Sequence, residues 1–442
     1  MQARAREGVS LNPGVRSFGK AKRCIVLFAW GGMSHVDTLD LKPEAGSDVR
    51  SVFGSIPTSL PGYHVCEHLP GLAKHVHEMT IIRSMHHNAP SHRSAAYWNL
   101  TGHAPKEVGK NWMASRRDWP CIGSMVACAT DHGQGPEPTE QSAILPGSVC
   151  LPYTMADGGV ANGQDGGFLG LRYDPAVVRP KKGTLYDGKS PSSGMINLDF
   201  IEGVDRSRLV SRRGLLSSLD GTVLGEQEST TQVEQYREQA LDMLLDPKVR
   251  AAFDIEKEPK AMHDLYGPHI CGQSVLMARK LVESGVPLAT VYCSAGDLNG
   301  SVGAHWDTHG DGFNRLKRDL LPPLDQAYSA LLTDLKQRGM FDDTLVVLLT
   351  EFGRTPKVNP GGGRDHYPSC YSVALAGAGV SQGLLYGASD KIGAYPAEKA
   401  AHPSDLHATI FHALGIDPGF TLYDQENRPL AASDGEVLPV FA

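Results

Sequence analysis

The sequence predicts an α/β fold in which a parallel sheet is covered on both faces by helices. Three observations carry that prediction. Residues 24–30, 287–293 and 344–350 are continuous apolar runs without polar alternation, the pattern of strands buried on both sides. Segments of helical spacing lie between the later runs. Most of these segments stop at a glycine, namely Gly285, Gly339 and Gly415.

Taken in order, residues 24–30 read as a central strand turned sharply by Gly31-Gly32, and 69–77 have helical spacing. Residues 79–83 read as a second strand, and a helix ends at Trp98-Asn99-Leu100-Thr101-Gly102. From about 106 to 224 the chain is rich in Gly, Pro, Asp and Ser, and reads as an insertion of loops and short elements over the sheet. Residues 231–253 and 271–284 are helix candidates, the second leading into the strand at 287–293. A long helical stretch at 313–338, interrupted by Pro322-Pro323, feeds the strand at 344–350. Residues 371–376 and 384–386 read as late strands, and 405–414 as a final helix. The organisation is an N-terminal arm over 1–22 and one domain over 23–440.

Composition excludes several classes. With 41% apolar and 21% charged residues, the chain is neither disordered nor membrane-spanning, because its apolar runs fall far short of the ~20 residues a spanning helix needs. A net charge of -7 with no Lys/Arg cluster argues against a nucleic-acid partner. The eight cysteines show no CxxC or zinc-finger spacing and read as structural thiols, with one or two disulfides as the alternative in an exported protein. Residues 1–22 have basic side chains but no apolar core of a secretory signal and no twin arginine.

The chemistry-bearing residues gather late in the chain. In His305-Trp306-Asp307-Thr308-His309, Asp307 and His309 share a face if the segment is extended, and a carboxylate with an imidazole suits Zn²⁺ or a similar divalent ion. Glu351 follows a buried strand directly, where α/β sheets place ligands; it reads equally as a metal ligand, a base, or an ion-pair partner of Arg354. Arg354 is a candidate for holding an anion. Asp365-His366 follow Gly361-Gly362-Gly363-Arg364, which is not a phosphate loop but lets backbone pass close to a site. His86, His87 and His92 lie within seven residues beyond a strand end, beside Ser91, Arg93 and Ser94. Asp37 follows the first strand as a ligand or a turn cap. Gly379-Val380-Ser381-Gln382-Gly383 matches the nucleophile-elbow pattern, with Asp390 and His402 or His407 following. A strand rather than a helix comes after Ser381, so the segment reads as a hairpin turn.

Residues 24–40, Val65-Cys66-Glu67-His68-Leu69-Pro70, 98–102, Gly167-Phe168-Leu169-Gly170, Trp306-Asp307-Thr308-His309, Glu351-Phe352-Gly353-Arg354-Thr355-Pro356 and Asp405-Leu406-His407-Ala408-Thr409 together resemble the bacterial domain-of-unknown-function 1501 family. That family is grouped with the alkaline phosphatase and sulfatase superfamily. The resemblance implies a three-layer α/β/α sandwich on a mixed, mostly parallel sheet. It also implies hydrolysis of phosphate or sulfate esters with paired divalent ions, Zn²⁺ first and Ca²⁺, Mg²⁺ or Mn²⁺ as alternatives. Asp307 and His309 then look like the first metal-binding pair and His366 like the late histidine ligand. Glu351 stands where the superfamily carries an Asp-His pair, with Phe352 in place of the histidine. Asp365 and Asp37 complete the candidate ligand set. The nucleophile position falls on Asn88 or His92 rather than Cys or Ser, leaving His92 or Ser91 at the reacting centre beside Arg354.

The expected function is a metal-dependent hydrolase of a small anionic ester, a carbohydrate ester among the candidates. The alternative is a non-catalytic binding protein of the same fold. The resemblance implies an exported, periplasmic protein; without a leader the location is the cytoplasm.

Overall fold

In the strand β1 (Arg23–Phe28), alternate side chains enter two separate cores. Cys24, Val26 and Phe28 pack on one side and Ile25 and Leu27 on the other. A strand with no polar face must lie inside a sheet covered twice, and β1 does. The computed structural model describes residues 17–139, 143–186, 205–223, 238, 240–300 and 303–442.

The main sheet adds β2 (Met79–Met85), β3 (Ser148–Leu151), β4 (Ala176–Val177), β5 (Leu288–Tyr292), β6 (Thr344–Leu349), β7 (Tyr371–Ala376) and β8 (Leu384–Tyr386), in the order β8-β2-β7-β6-β1-β5-β3-β4. β1 pairs in parallel with both β5 and β6, whereas β7 runs antiparallel to β2 and β6. The sheet is therefore mixed and mostly parallel. One face is covered by α3 (Ile270–Glu283) and α4 (Leu321–Gln337), which bury Val275, Leu276, Leu324 and Leu331 against Ile25 and Leu27. The other face is covered by α1 (His92–Thr101), α2 (Ile122–Asp131) and α5 (Pro403–Ala413), through Leu100, Met125, Leu406 and Phe411. Gly102 closes α1 at φ 75°, a left-handed conformation that suits glycine.

Several expectations need correction. β8 pairs in parallel with β2, so residues 379–383 are a crossover and not a hairpin turn, and no helix follows Ser381 to form a nucleophile elbow. Pro322 and Pro323 do not interrupt the long helix. They fall at the start of α4, just after the wider turn Leu316–Leu320, where their missing N–H groups cost least. The helix expected over 231–253 breaks at Asp246, whose carboxylate accepts from Lys248 N and Val249 N at 2.6 and 3.1 Å and caps Pro247–Ala252; residues 231–237 lie outside the described residues. The Gly- and Pro-rich stretch supplies α2, β3 and the edge strand β4, while 187–204 of it, like 1–16 of the N-terminal arm, lie outside the described residues. All eight cysteines are free and buried. Among the described residues no helix is long and apolar enough to cross a membrane.

The antiparallel β7 has a consequence for the site. β6 ends at Leu349 on the edge where β1, β2 and β5 also end, and β7 begins on that same edge at Tyr371. The excursion between them, which carries Glu351, Arg354, Asp365 and His366, thus leaves and re-enters the sheet at one rim.

Candidate metal centre

Four segments meet at this rim. They are the turn after β1, the first residue of α1, the loop over 303–311 that follows β5, and the excursion between β6 and β7. Gly31, at φ +116°, permits the closest approach: a Cβ there would stand 2.4 Å from the Asp307 amide. The backbones are joined by Trp306 N–H donating to Trp30 O at 3.1 Å. The short ribbon Gly353–Arg354 paired with His366–Tyr367 then brings His366 over Asp307.

Three imidazoles turn one nitrogen outward to an acceptor and the other inward. His92 Nδ1 lies 2.7 Å from Glu351 Oε1, His309 Nδ1 2.7 Å from Asp365 Oδ1, and His366 Nδ1 2.9 Å from Pro90 O. The opposite nitrogens converge on a single atom, Asp307 Oδ1, at 3.3, 3.1 and 3.1 Å respectively. His309 Nε2 and His366 Nε2 are only 2.9 Å apart. His92 Nε2 is buried without a hydrogen-bond partner. The inward ligand atoms of His92, Asp307 and His366 all lie within 4.8 Å of one another.

This donor set fits a divalent ion. Each Nδ1–H can donate to its acceptor, which fixes the tautomer and leaves Nε2 as a lone pair. Lone pairs facing one another at such distances repel unless a cation sits among them. The observed spacings approach the ~3.3 Å edge of a tetrahedron with metal bonds near 2.0–2.1 Å. Charge points the same way, because the carboxylates of Asp307, Glu351 and Asp365 outnumber the two guanidiniums, Arg354 and Arg315, the latter donating to Asp307 O at 2.9 Å. Burial would raise the Asp307 carboxyl, but the surrounding imidazoles of His309, His366 and His92 and the Arg354 charge hold it far below the ordinary range. Burial pushes His366 down to about 4, keeping its ring neutral. His92 is raised despite its burial by the Asp307 and Glu351 carboxylates, and His309 by Asp307 foremost.

Phe352 forms the apolar wall, with ring centroids 5.0 Å from His92 and 4.7 Å from His366. The centre opens on the side of His309 and Asp365, whose side chains are 44% and 53% exposed.

The structure brings together Asp307, His309, His366, Asp365, Glu351, Arg354 and His92, and leaves others out. Asp37 does not reach the cluster. Its carboxylate is held by Arg364 through Nε at 2.7 Å and Nη2 at 2.9 Å, and by the Ser34 hydroxyl at 2.5 Å. Ser91 turns its hydroxyl to Ser94 Oγ at 2.7 Å and Asn111 Oδ1 at 3.4 Å. Glu351, fully buried, spends Oε1 on His92 and on the Gly31 amide at 2.8 Å, so it stands behind His92. Arg354 is also fully buried. It donates to Gly32 O, Arg364 O, Gly31 O and Trp306 O as well as to Asp307 Oδ1 at 2.8 Å, tying the segments of the rim together. A guanidinium fully buried among backbone carbonyls in this way is not open to an incoming anion.

Sequence reasoning overlooked the supports. His87 Nε2 at 2.6 Å and the Asn99 amide at 2.8 Å hold the Glu351 carbonyl, and the Asn359 amide donates to Asp365 Oδ1 at 3.0 Å. Only His87 had a signal, its place in the histidine-rich loop.

Fold and site together define an α/β/α protein with a histidine–carboxylate centre at the carboxyl rim of its sheet. The chain belongs to the family described as a protein of unknown function, DUF1501, whose model matches residues 21–440. Among solved structures it is similar to a phosphonate monoester hydrolase from Silicibacter pomeroyi, at 12% identity, TM-score 0.38, covering 95% of this chain and 76% of that one. It is also similar to an alkaline phosphatase superfamily protein from Vibrio parahaemolyticus (11% identity, TM-score 0.39, 93% and 71% covered) and a sulfatase from Pseudoalteromonas sp. (11%, 0.38, 89% and 68%). Likeness at this level carries neither substrate nor mechanism across. No curated protein matches the sequence.

Proposed function

We propose that this protein is a metal-dependent hydrolase of phosphate or sulfate esters. The observation that carries the metal reading is the convergence of three Nε2 atoms on Asp307 Oδ1 while each Nδ1 is occupied by an acceptor. His92, Asp307 and His366 would hold the ion, with His309 beside them. Nitrogen-rich donors with one carboxylate favour Zn²⁺ over Ca²⁺ or Mg²⁺. An ion bound there supplies Lewis acidity and a water of lowered pKa. Glu351 orients His92 and Asp365 orients His309, while Phe352 excludes water from one side. The ester class rests on the motif resemblance, and the exposed side at His309 and Asp365 gives a small anionic ester, free or on a carbohydrate, access to the centre.

A second reading, a metal-binding protein without catalysis, is favoured by one observation: the Ser91 hydroxyl is turned to Ser94, and Arg354 is fully buried among backbone carbonyls. In the hydrolase reading, water is the nucleophile and neither side chain is needed for attack. Elemental analysis with turnover of aryl phosphate and aryl sulfate, on the wild type and on His366→Ala, separates the two. Metal with turnover lost in the variant supports the hydrolase; metal without turnover supports the binding protein.

A further inference from the structure

The superfamily resemblance implies a pair of divalent ions, and the residues at this rim do not fit the second. The first strand runs into Trp30-Gly31 without a carboxylate, and Phe352 stands where a second ion would need a histidine. Asp37, the first acidic residue after that strand, is held by Arg364, with both side chains almost wholly buried. Glu351 has Oε1 on His92 and on the Gly31 amide, and accepts the Thr350 hydroxyl on Oε2 at 3.4 Å. Among the described residues, His92, Asp307 and His366 form the one group of three such side chains whose ligand atoms gather within 4.8 Å.

Beside that group stands a cation of the chain's own. The Arg354 guanidinium, fully buried, lies in a nest of oxygens from three segments: the carbonyls of Gly31 and Gly32, of Trp306 and of Arg364, with Asp307 Oδ1 at 2.8 Å. Carbonyl oxygens with one carboxylate are the donors a hard cation takes. Asp307 Oδ1 is also the atom on which the three imidazole nitrogens converge, so one oxygen is shared between the ion site and the guanidinium. Phe352 lines the guanidinium as well. Its ring centroid is 5.7 Å from Arg354 Cζ, a distance at which an aromatic face attracts a cation. Gly32 leaves room for both, since a Cβ there would stand 2.6 Å from Phe352 Cε2 and 3.0 Å from Arg354 Nε.

We infer that the centre is built for one divalent ion, and that the Arg354 guanidinium is its second cation, fixed in the fold. This role rests on the proposed metal reading and deepens it, by giving the ion count and the group that takes the second ion's part. Arg354 is a positioning residue, touching the ligand Asp307 and buried away from any substrate. It holds Asp307 Oδ1 in place and closes the oxygen nest to a further ion. A neutral side chain at 354 leaves four carbonyl oxygens and a carboxylate oxygen without a cation among them, and a hard divalent ion can then enter.

The test is calorimetric titration of metal-stripped protein with Zn²⁺ and then of the zinc-loaded protein with Mn²⁺, on the wild type, Arg354→Lys and Arg354→Gln, with thermal unfolding measured on each. The expected result is one equivalent of Zn²⁺ in the wild type and no saturable Mn²⁺ site beside it. Arg354→Lys, which keeps the charge, should behave likewise, whereas Arg354→Gln should take one further saturable equivalent of Mn²⁺. A wild type that holds two ions overturns the inference and leaves the metal reading intact. So does an Arg354→Gln that folds, holds its zinc and takes no Mn²⁺, or an Arg354→Lys that takes Mn²⁺ as the glutamine variant does. A wild type that holds no ion overturns the metal reading and the inference together. Should Arg354→Gln fail to fold, the wild-type titration still decides the ion count, and Arg354→Ala decides the charge. Its stability should be restored by free guanidinium ion and not by urea, the neutral molecule of the same shape; restoration by both or by neither contradicts the inference.

Discussion

Nδ1 of His92 lies 2.7 Å from Oε1 of the fully buried Glu351, and this bond decides which nitrogen of His92 faces Asp307. A carboxylate behind a histidine fixes the tautomer and raises the basicity of the inward nitrogen. Glu351→Gln keeps the shape but weakens that hold. Zn²⁺ affinity, measured by competition with a chelator, should fall roughly 10–100-fold with the fold retained. Unchanged affinity would remove Glu351 from the centre.

Gly31 is where the first strand passes the Asp307 backbone. In Gly31→Ala the new Cβ meets the Asp307 amide at 2.4 Å, and φ is positive as well. Thermal or urea unfolding should show a loss of about 2 kcal/mol or more, together with weakened metal binding. A variant as stable as the wild type would mean that the 303–311 loop does not pack against this turn.

Asp37 is paired with Arg364 and lies away from the metal ligands. Asp37→Asn leaves a buried guanidinium short of its partner, so unfolding should show a loss of about 3 kcal/mol. Zinc stoichiometry of the folded variant should match the wild type. A stable protein that has lost its metal would restore Asp37 as a ligand.

His407 is buried in α5, with Nε2 2.9 Å from Asn99 O, and burial lowers its pKa to about 4. The unfolded chain holds the histidine near 6.5, so between those values the unfolded state binds more protons. The stability that depends on neutral His407 is complete above about pH 6.5 and declines as the pH falls towards 4. The decline is about 3 kcal/mol for this one residue, since each pKa unit is worth about 1.4 kcal/mol. Urea unfolding of the wild type and His407→Gln at pH 7 and pH 4.5 checks this. The variant should lose less stability between the two pH values, and an equal loss would exclude His407 as the source.

The strands most legible in the sequence were those with the strongest physical signature. Apart from Arg23 at the start of β1 and a threonine each in β5 and β6, these three strands are apolar because both faces are covered, and no surface helix of that length has so few polar positions. Strand direction left no such mark. Tyr371–Ala376 is as apolar as its parallel neighbours, and only its partners reveal that it runs the other way. β3 and β4 were hidden by their shortness and by the Gly- and Pro-rich text around them. At the site, residue type and strand-end position indicated Asp307, His309, His366 and His92, because few structural needs put imidazoles there. Roles were less legible than membership. Glu351 and Arg354 were ambiguous until their partners were visible, since a buried carboxylate behind a ligand and a ligand itself have the same sequence signature.

The central claim is that His92, Asp307 and His366 hold one divalent ion. Calorimetric titration of metal-stripped protein with Zn²⁺, on the wild type and His366→Ala, tests it most directly. One saturable site per chain in the wild type, abolished or severely weakened in the variant, is the predicted result. A wild type that takes up no ion, or a variant that binds as tightly as the wild type, would contradict it.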